Sequence, residues 1–212
     1  QINGYLQQCG DALFTEMFGS LTDNAVLSDI ANITMGQSPA GSSYNEDGVG
    51  EVFYQGRGEF GWRFPTRRLY TTEPKRMAKP MDVLMSVRAP VGDLNIAKEA
   101  CCIGRGLAAI SSKYASYSLY LMRSLRGKLD AFNGEGTVFG SINGKSLKSL
   151  PIAIPSADDM GKFEDVIRPI DMAILNNEQE SRRLGTIRDT LLPKLMSREI
   201  DVSGVELPLV TR

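Results

Sequence analysis

The sequence contains no histidine among its 212 residues. That absence removes Ser-His-Asp and Cys-His catalysis, histidine-ligated metal sites and the commonest general base. Cysteine is scarce. Cys9, Cys101 and Cys102 make an odd count with a vicinal pair, which is not a disulfide framework. No Cys-x-x-Cys spacing is present to hold zinc. Three reduced, mostly buried thiols in a cytoplasmic setting are expected. No apolar run reaches the roughly 18 residues of a membrane span, so neither a transmembrane helix nor a membrane partner is expected. No signal-peptide pattern opens the chain, and Gln1 in place of Met fits a cut, a processed end or an artificial boundary. Residues 1–50 hold no lysine or arginine at all, against six acids.

Hydrophobic residues at 42% and charged residues at 23% are ordinary for a globular chain, and the net charge is −1. Its distribution is not ordinary. Residues 51–126 carry thirteen Lys/Arg against six Asp/Glu, whereas residues 151–212 carry eight against eleven. A basic segment on a neutral chain is what phosphate contact requires, although a basic solvated surface would read the same way.

Helical periodicity marks residues 2–18, with Ile2, Leu6, Cys9, Leu13 and Met17 on one face. Gly19 to Asn24 reads as a terminator and linker. Residues 25–155 read as one β-rich domain. Val26 to Thr34 opens it with a helical turn and strand, and Gly36 to Gly50 is a long Gly/Ser/Asn-rich loop. Strands are expected at Val52–Tyr54, Val83–Val87, Leu94–Ile96, Gly106–Ile110 and Leu150–Ile154. One helix is expected within Tyr114–Phe132.

From Ser156 the pattern changes. Phe163, Ile167, Ile170, Ile174, Asn177, Ser181, Leu184, Arg188, Leu191 and Leu195 alternate by four and three, a coiled-coil-like seam over residues 156–200, followed by a 201–212 tail. Ser156 with Asp159 fits an N-cap. Pro169 predicts a kink or a short helix ahead of the long one. Asn177 either fixes register in a helix pair or lies exposed. Leu6–Phe18 also aligns over Leu184–Met196, sharing Leu6/Leu184, Asp11/Asp189 and Leu13/Leu191. The match is a true repeat or a coincidence of amphipathic helices. The pairing face is expected to use Leu6, Leu13, Ile170, Ile174, Asn177, Leu184 and Leu191.

The basic segment interleaves Arg57, Arg63, Arg67, Arg68, Lys75, Arg76 and Lys79 with Phe53, Tyr54, Phe60, Trp62, Phe64 and Tyr70. Lys and Arg neutralise phosphates, and Arg grips guanine O6 and N7 with two hydrogen bonds. Phe53 and Trp62 are expected in the core, and about half of the bases on DNA. Gln37, Ser38 and Asn45 lie in the long loop and suit adenine or phosphate contact. In Arg88-Ala89-Pro90-Val91-Gly92-Asp93, Pro90 and Gly92 suit a turn, while Arg88 either pairs with Asp93, the favoured choice, or reaches DNA. Gly104-Arg105-Gly106 and Gly134-Glu135-Gly136 lack the lysine of a P-loop and read as turns. Asp158-Asp159 sits at a helix start, where acids favour the dipole. No S-adenosylmethionine motif, Asn-Pro-Pro-Phe/Tyr tetrapeptide or helicase P-loop is visible.

Several marks occur in order over residues 25–200: Gly36-Gln37-Ser38-Pro39, Arg88 to Asp93, Gly136-Thr137, Leu150 to Pro155, and Ile187-Arg188-Asp189 to Met196. In that order the chain resembles the specificity subunit of type I restriction–modification enzymes. The resemblance implies an α+β chain: a mixed β-rich target-recognition domain on a long C-terminal helix in an antiparallel coiled-coil-like pair. It implies a non-catalytic reader of one half of a split double-stranded DNA site. Methyltransferase subunits, and in some assemblies the restriction subunit, would dock on the helices. S-adenosylmethionine, ATP and magnesium would belong to those subunits, with no cofactor on this chain. Two such domain-and-helix units make a full subunit, so this chain is either the second half of a longer one or a half-subunit that pairs as a homodimer. A coiled-coil adaptor that reads no DNA is the alternative.

Overall fold

Local chemistry sets the two helices that frame the molecule. Residues Ile2–Phe18 form α1, which ends where Gly19 closes the last turn with its N–H on the Thr15 carbonyl at 2.8 Å. At the other end Ser156 caps α5, Ala157–Met196, by accepting the Asp159 N–H at 3.1 Å. Between them lie the strands Ala25–Val26 (β1), Asn32–Met35 (β2), Tyr44–Asn45 (β3), Glu51–Tyr54 (β4), Leu69–Thr71 (β5), Met77–Ala78 (β6), Val83–Ser86 (β7), Leu94–Ile96 (β8), Cys101–Ile103 (β9) and Leu107–Ser111 (β10). The helices Ala115–Ser124 (α2), Arg126–Asp130 (α3) and Gly144–Lys148 (α4) and the strand Pro151–Ile152 (β11) complete the chain. The computed structural model describes residues 1–134 and 140–200. The Gly136-Thr137 mark and the 201–212 tail lie outside the described residues.

Three sheets result, ordered β2-β10-β7-β8, β3-β5-β4-β9-β6 and β1-β11. The first is covered on both faces, and its side chains sort by the two-residue strand period. Leu84, Leu107 and Ala109 face the five-stranded sheet with Val52, Tyr54, Cys101 and Ile103. Val83, Met85, Ala108 and Ile110 face the helices. This double burial explains why these strands read as nearly continuous apolar runs. Against the helix-facing side pack α1, α2 and the first half of α5, where Phe14, Phe18, Tyr117 and Phe163 meet edge to face at 5.1–6.3 Å.

The helix pair is antiparallel. Asn3, near the start of α1, donates to the Ile174 carbonyl at 3.4 Å, while Phe18, at its end, meets Phe163 at 5.6 Å. Asn177 is half-buried and donates to Asn3 Oδ1 at 2.9 Å, so it belongs to the pair. Two expectations need correction. Of the kink or short helix expected at Pro169, the short helix does not form, because α5 runs unbroken through it. Pro169 lies on the exposed face, where the carbonyl that loses its N–H partner can turn to water. The expected helix within Tyr114–Phe132 is divided at Leu125 into α2 and α3.

Candidate nucleic-acid interface

Glycines bring the ends of five strands, β2, β4, β7, β9 and β10, together at one end of the four-stranded sheet. Gly36 follows β2 and donates to the Leu107 carbonyl at 2.9 Å, and Gln37 N donates to the Ile103 carbonyl at 2.9 Å. Gly104 follows β9 and donates to the Tyr54 carbonyl at 2.8 Å, while Val87, after β7, donates to the Gly106 carbonyl at 2.9 Å. A Cβ on Gly36 would run into the Gly104 carbonyl oxygen, so the crossing requires bare backbone.

Polar side chains project around this crossing. Gln37, Gln55, Arg88 and Arg105 are exposed, and Ser38 Oγ accepts the Arg105 N–H at 3.2 Å. Neither Arg88 nor Arg105 has a carboxylate within ion-pair distance among the described residues. Gln pairs with adenine N6 and N7, Arg with guanine O6 and N7, so the cluster holds the side chains that read a major groove. Sequence reasoning picked out Gln37, Ser38 and Arg88. It missed Gln55, and it read Arg105 only as part of a turn. The flanking Gly104 and Gly106 were the available signal, because they mark a tight turn from β9 to β10 that presents its central residue.

The other expected contacts separate into three groups. Lys75, Arg76 and Lys79 are exposed cations around β6 and have no carboxylate partner among the described residues. Arg57, Arg67 and Arg68 are exposed but engaged. Arg57 pairs with Asp93, Arg67 grips Glu99 with two bonds at 2.5 and 2.7 Å, and Arg68 meets Glu59 at 3.0 Å. The bidentate Glu99 contact holds the Arg67 guanidinium above its ordinary pKa. The three guanidinium groups stay more than half exposed, so solvent screens their pairs, least so for the bidentate Arg67–Glu99 contact.

Arg63 and Asn45 are corrections. Arg63 is only 3% exposed and pairs with Asp171, itself 2% exposed, so it is sealed away from DNA. Its neighbour Trp62, expected in the core, is 52% exposed. Here charge lost to partnership: Asp171, Tyr120 and Gln7 supply Arg63 with a polar interior, which no composition rule anticipates. Asn45 is spent locally, donating to the Val49 carbonyl at 2.8 Å and accepting its N–H at 3.0 Å. The Arg88–Asp93 pair also does not form, since Asp93 is taken by Arg57 and, at 3.6 Å, by Arg126. Cys101 and Cys102 are buried as expected, but Cys9 is exposed.

The expected helix face divides at Asn177. Leu6, Leu13 and Ile170 pack against the core that contains Ile174. Leu184 and Leu191 are 57% and 41% exposed, and Ile187, Leu192, Leu195 and Met196 are exposed beside them. Among the described residues no group of His, Cys, Asp and Glu could hold a metal ion, and no helix is long and apolar enough to cross a membrane.

Comparison with known proteins places this geometry. The sequence profile described as "Type I restriction modification DNA specificity domain" matches residues 23–182. The chain is 37% identical over 174 residues to a putative type I restriction enzyme MjaX specificity subunit of Methanocaldococcus jannaschii, covering 80% of this chain and 41% of that protein. It is similar to the HsdS subunit from Thermoanaerobacter tengcongensis, with a TM-score of 0.63 and 29% identity over 91% of this chain and 50% of the other. A chain solved in work on complex assembly and conformational transition of the type I R-M system gives a TM-score of 0.65 at 29% identity, covering 91% and 52%. The chain therefore spans about half the length of the relatives it matches.

Proposed function

Because the chain belongs to the family of type I restriction–modification DNA specificity domains, we propose that it reads one half of a split duplex DNA site and performs no chemistry itself. The observation that carries this reading is the strand-end cluster of Gln37, Ser38, Gln55, Arg88 and Arg105. There, base-reading side chains stand on a backbone crossing too tight to shift. The unpaired Lys75 and Arg76 would supply phosphate contacts that orient the duplex without reading it.

The part of α5 beyond Asn177 extends about 30 Å to Met196 at about 1.5 Å per residue, close to one turn of DNA. Its exposed leucines would pair with the corresponding helix of a second reading unit, in a longer chain or in a second copy. Methyltransferase subunits would dock on the same helical layer. S-adenosylmethionine, ATP and magnesium would reside on those partners, in the cytoplasm.

Selection from a random duplex pool tests the reading. Wild-type protein should enrich a short motif, and Gln37→Ala with Arg105→Ala should retain duplex binding while flattening that motif. Absence of any enriched motif for the wild type, together with salt-independent binding, would leave the adaptor alternative in its place.

A further inference from the structure

The reading cluster occupies the end of the four-stranded sheet where β2 and β7 finish and β10 begins. At the opposite end, where β2 and β7 begin and β10 finishes, lies a groove of about 730 Å³ lined by Lys79, Lys113 and Lys148. The three lysines come from the loop ahead of β7, the turn after β10 and the last turn of α4. None has a carboxylate within ion-pair distance among the described residues. The two acids in the groove are held by backbone. Asp82 accepts the Lys79 N–H at 2.8 Å and Asp29 accepts the Val26 N–H at 3.0 Å. Ser28, Ser111 and Ser112 also line the groove. Ser112 Oγ accepts the Tyr114 N–H at 3.2 Å, which leaves its own O–H free to donate outward.

Compact ammonium charges interleaved with hydroxyls suit successive phosphate oxygens and lack the planar forks that read base edges. We infer that Lys79, Lys113 and Lys148 form a second phosphate track, which holds the DNA backbone beyond the bases that the strand-end cluster reads. The inference rests on the DNA-reading function proposed above. The β10 strand of five residues separates the two sites by about 17 Å at about 3.4 Å per residue. At about 3.4 Å per phosphate along one strand, that is about five nucleotides. The track would thus lengthen the footprint on one side of the recognised motif and leave the motif itself unchanged.

The experiment compares wild type with a Lys79→Gln/Lys113→Gln/Lys148→Gln variant and with a Lys113→Gln single. Affinity is measured for the enriched motif and for random duplex over a salt series. The triple variant should lose affinity for both DNAs in equal proportion, and its salt slope should fall by about two to three, near 0.9 per phosphate. The single variant should lose about one third of that change, and both should keep the wild-type motif. Phosphate ethylation about five nucleotides outside the motif should interfere with wild-type binding and not with the triple variant. An unchanged slope, or an altered motif, overturns the track and leaves the reading function standing. Wild-type protein that binds no duplex overturns both. Saturable binding of inorganic phosphate to the lysines, with the DNA salt slope unchanged in the triple variant, would make the groove a free-ion site instead.

Discussion

Asp171 meets Arg63, Tyr120 and the interior together, and burial has the largest influence on its proton. Loss of water drives its pKa above the ordinary carboxylate value, and the attraction of Arg63 only partly offsets the rise. Arg63 Nε finds no partner, so the pair is incompletely satisfied. Such a pair binds its elements in register and is not a net source of stability. The folded state holds the Asp171 proton more tightly than the unfolded chain. This group's contribution is therefore present below the ordinary aspartate range and is lost as pH rises through the folded value. Arg63→Met or Asp171→Leu alone should destabilise by about 3–5 kcal/mol by stranding a buried charge, while the double variant should be neutral or more stable than wild type by about 1–4 kcal/mol. Chemical denaturation of the three variants measures the difference. Cysteine gives a second residue-scale test. Burial pushes the Cys101 thiol up to about 12, and Cys102 is equally enclosed, whereas Cys9 is exposed. A thiol reagent at pH 8 should modify one cysteine quickly and the other two only on unfolding. The places of Trp62 and Arg63 were not legible in the sequence. The burial of Arg63 is decided by a carboxylate 108 residues away, and no local pattern encodes that distance.

At the scale of elements, α5 is one helix with two environments. Its first half buries Met160, Phe163, Ile167, Asp171, Ile174 and Leu175, and nothing after Leu175 is buried. The four-three spacing that predicted a seam is continuous through both halves, so periodicity recorded the face correctly and said nothing of which half is covered within this chain. The aligned segment of α1, Leu6–Phe18, is buried against the domain, while its counterpart Leu184–Met196 keeps the same apolar face open. An open stripe of Leu184, Ile187, Leu191 and Leu195 on an otherwise polar, exposed helix suits a helical partner. The wild-type chain should therefore associate in sedimentation equilibrium at micromolar concentration, and Leu191→Glu should shift it to monomer with an unchanged circular dichroism spectrum. A wild type that remains monomeric throughout would place the partner on another chain. The strands β7, β8 and β10 were legible because their apolar residues cluster between turn signals. The short β3, β5, β6 and β9 were not, because their pairing partners lie far off in sequence, whereas the equally short β8 returns onto β7 across the turn at Gly92.

At the scale of the whole molecule, the helices and the β-rich domain share one core. The residues 1–18, 25–155 and 156–200 that sequence composition separates contribute to a single cluster running from Phe14 and Phe18 through Ile33, Val83 and Tyr117 to Phe163 and Ile174. Rigidity follows from that continuity. A reader fixed to its rod by a common core can convert the length of α5 into a separation between half-sites, whereas a reader on a flexible linker would not. Phe14 is the sharpest probe because it touches three of the parts. It meets Phe18 at 5.1 Å, Tyr117 of α2 at 5.6 Å and Phe163 of α5 at 5.6 Å, and it is 6% exposed. Phe14→Ala removes a ring that its neighbours cannot replace, at a cost of about 3–5 kcal/mol. For a chain of this size each kcal/mol lowers the melting temperature by about 2–4 °C, so the expected drop is about 6–20 °C. If the core is one cooperative body, the variant should still unfold in a single transition whether followed at the sheets or at the helices. If α1 were an appendage, the same substitution would lower only a minor early transition and leave the main one in place. Scanning calorimetry with parallel far-ultraviolet circular dichroism separates the two, and coincident, shifted curves are the outcome that a shared core requires.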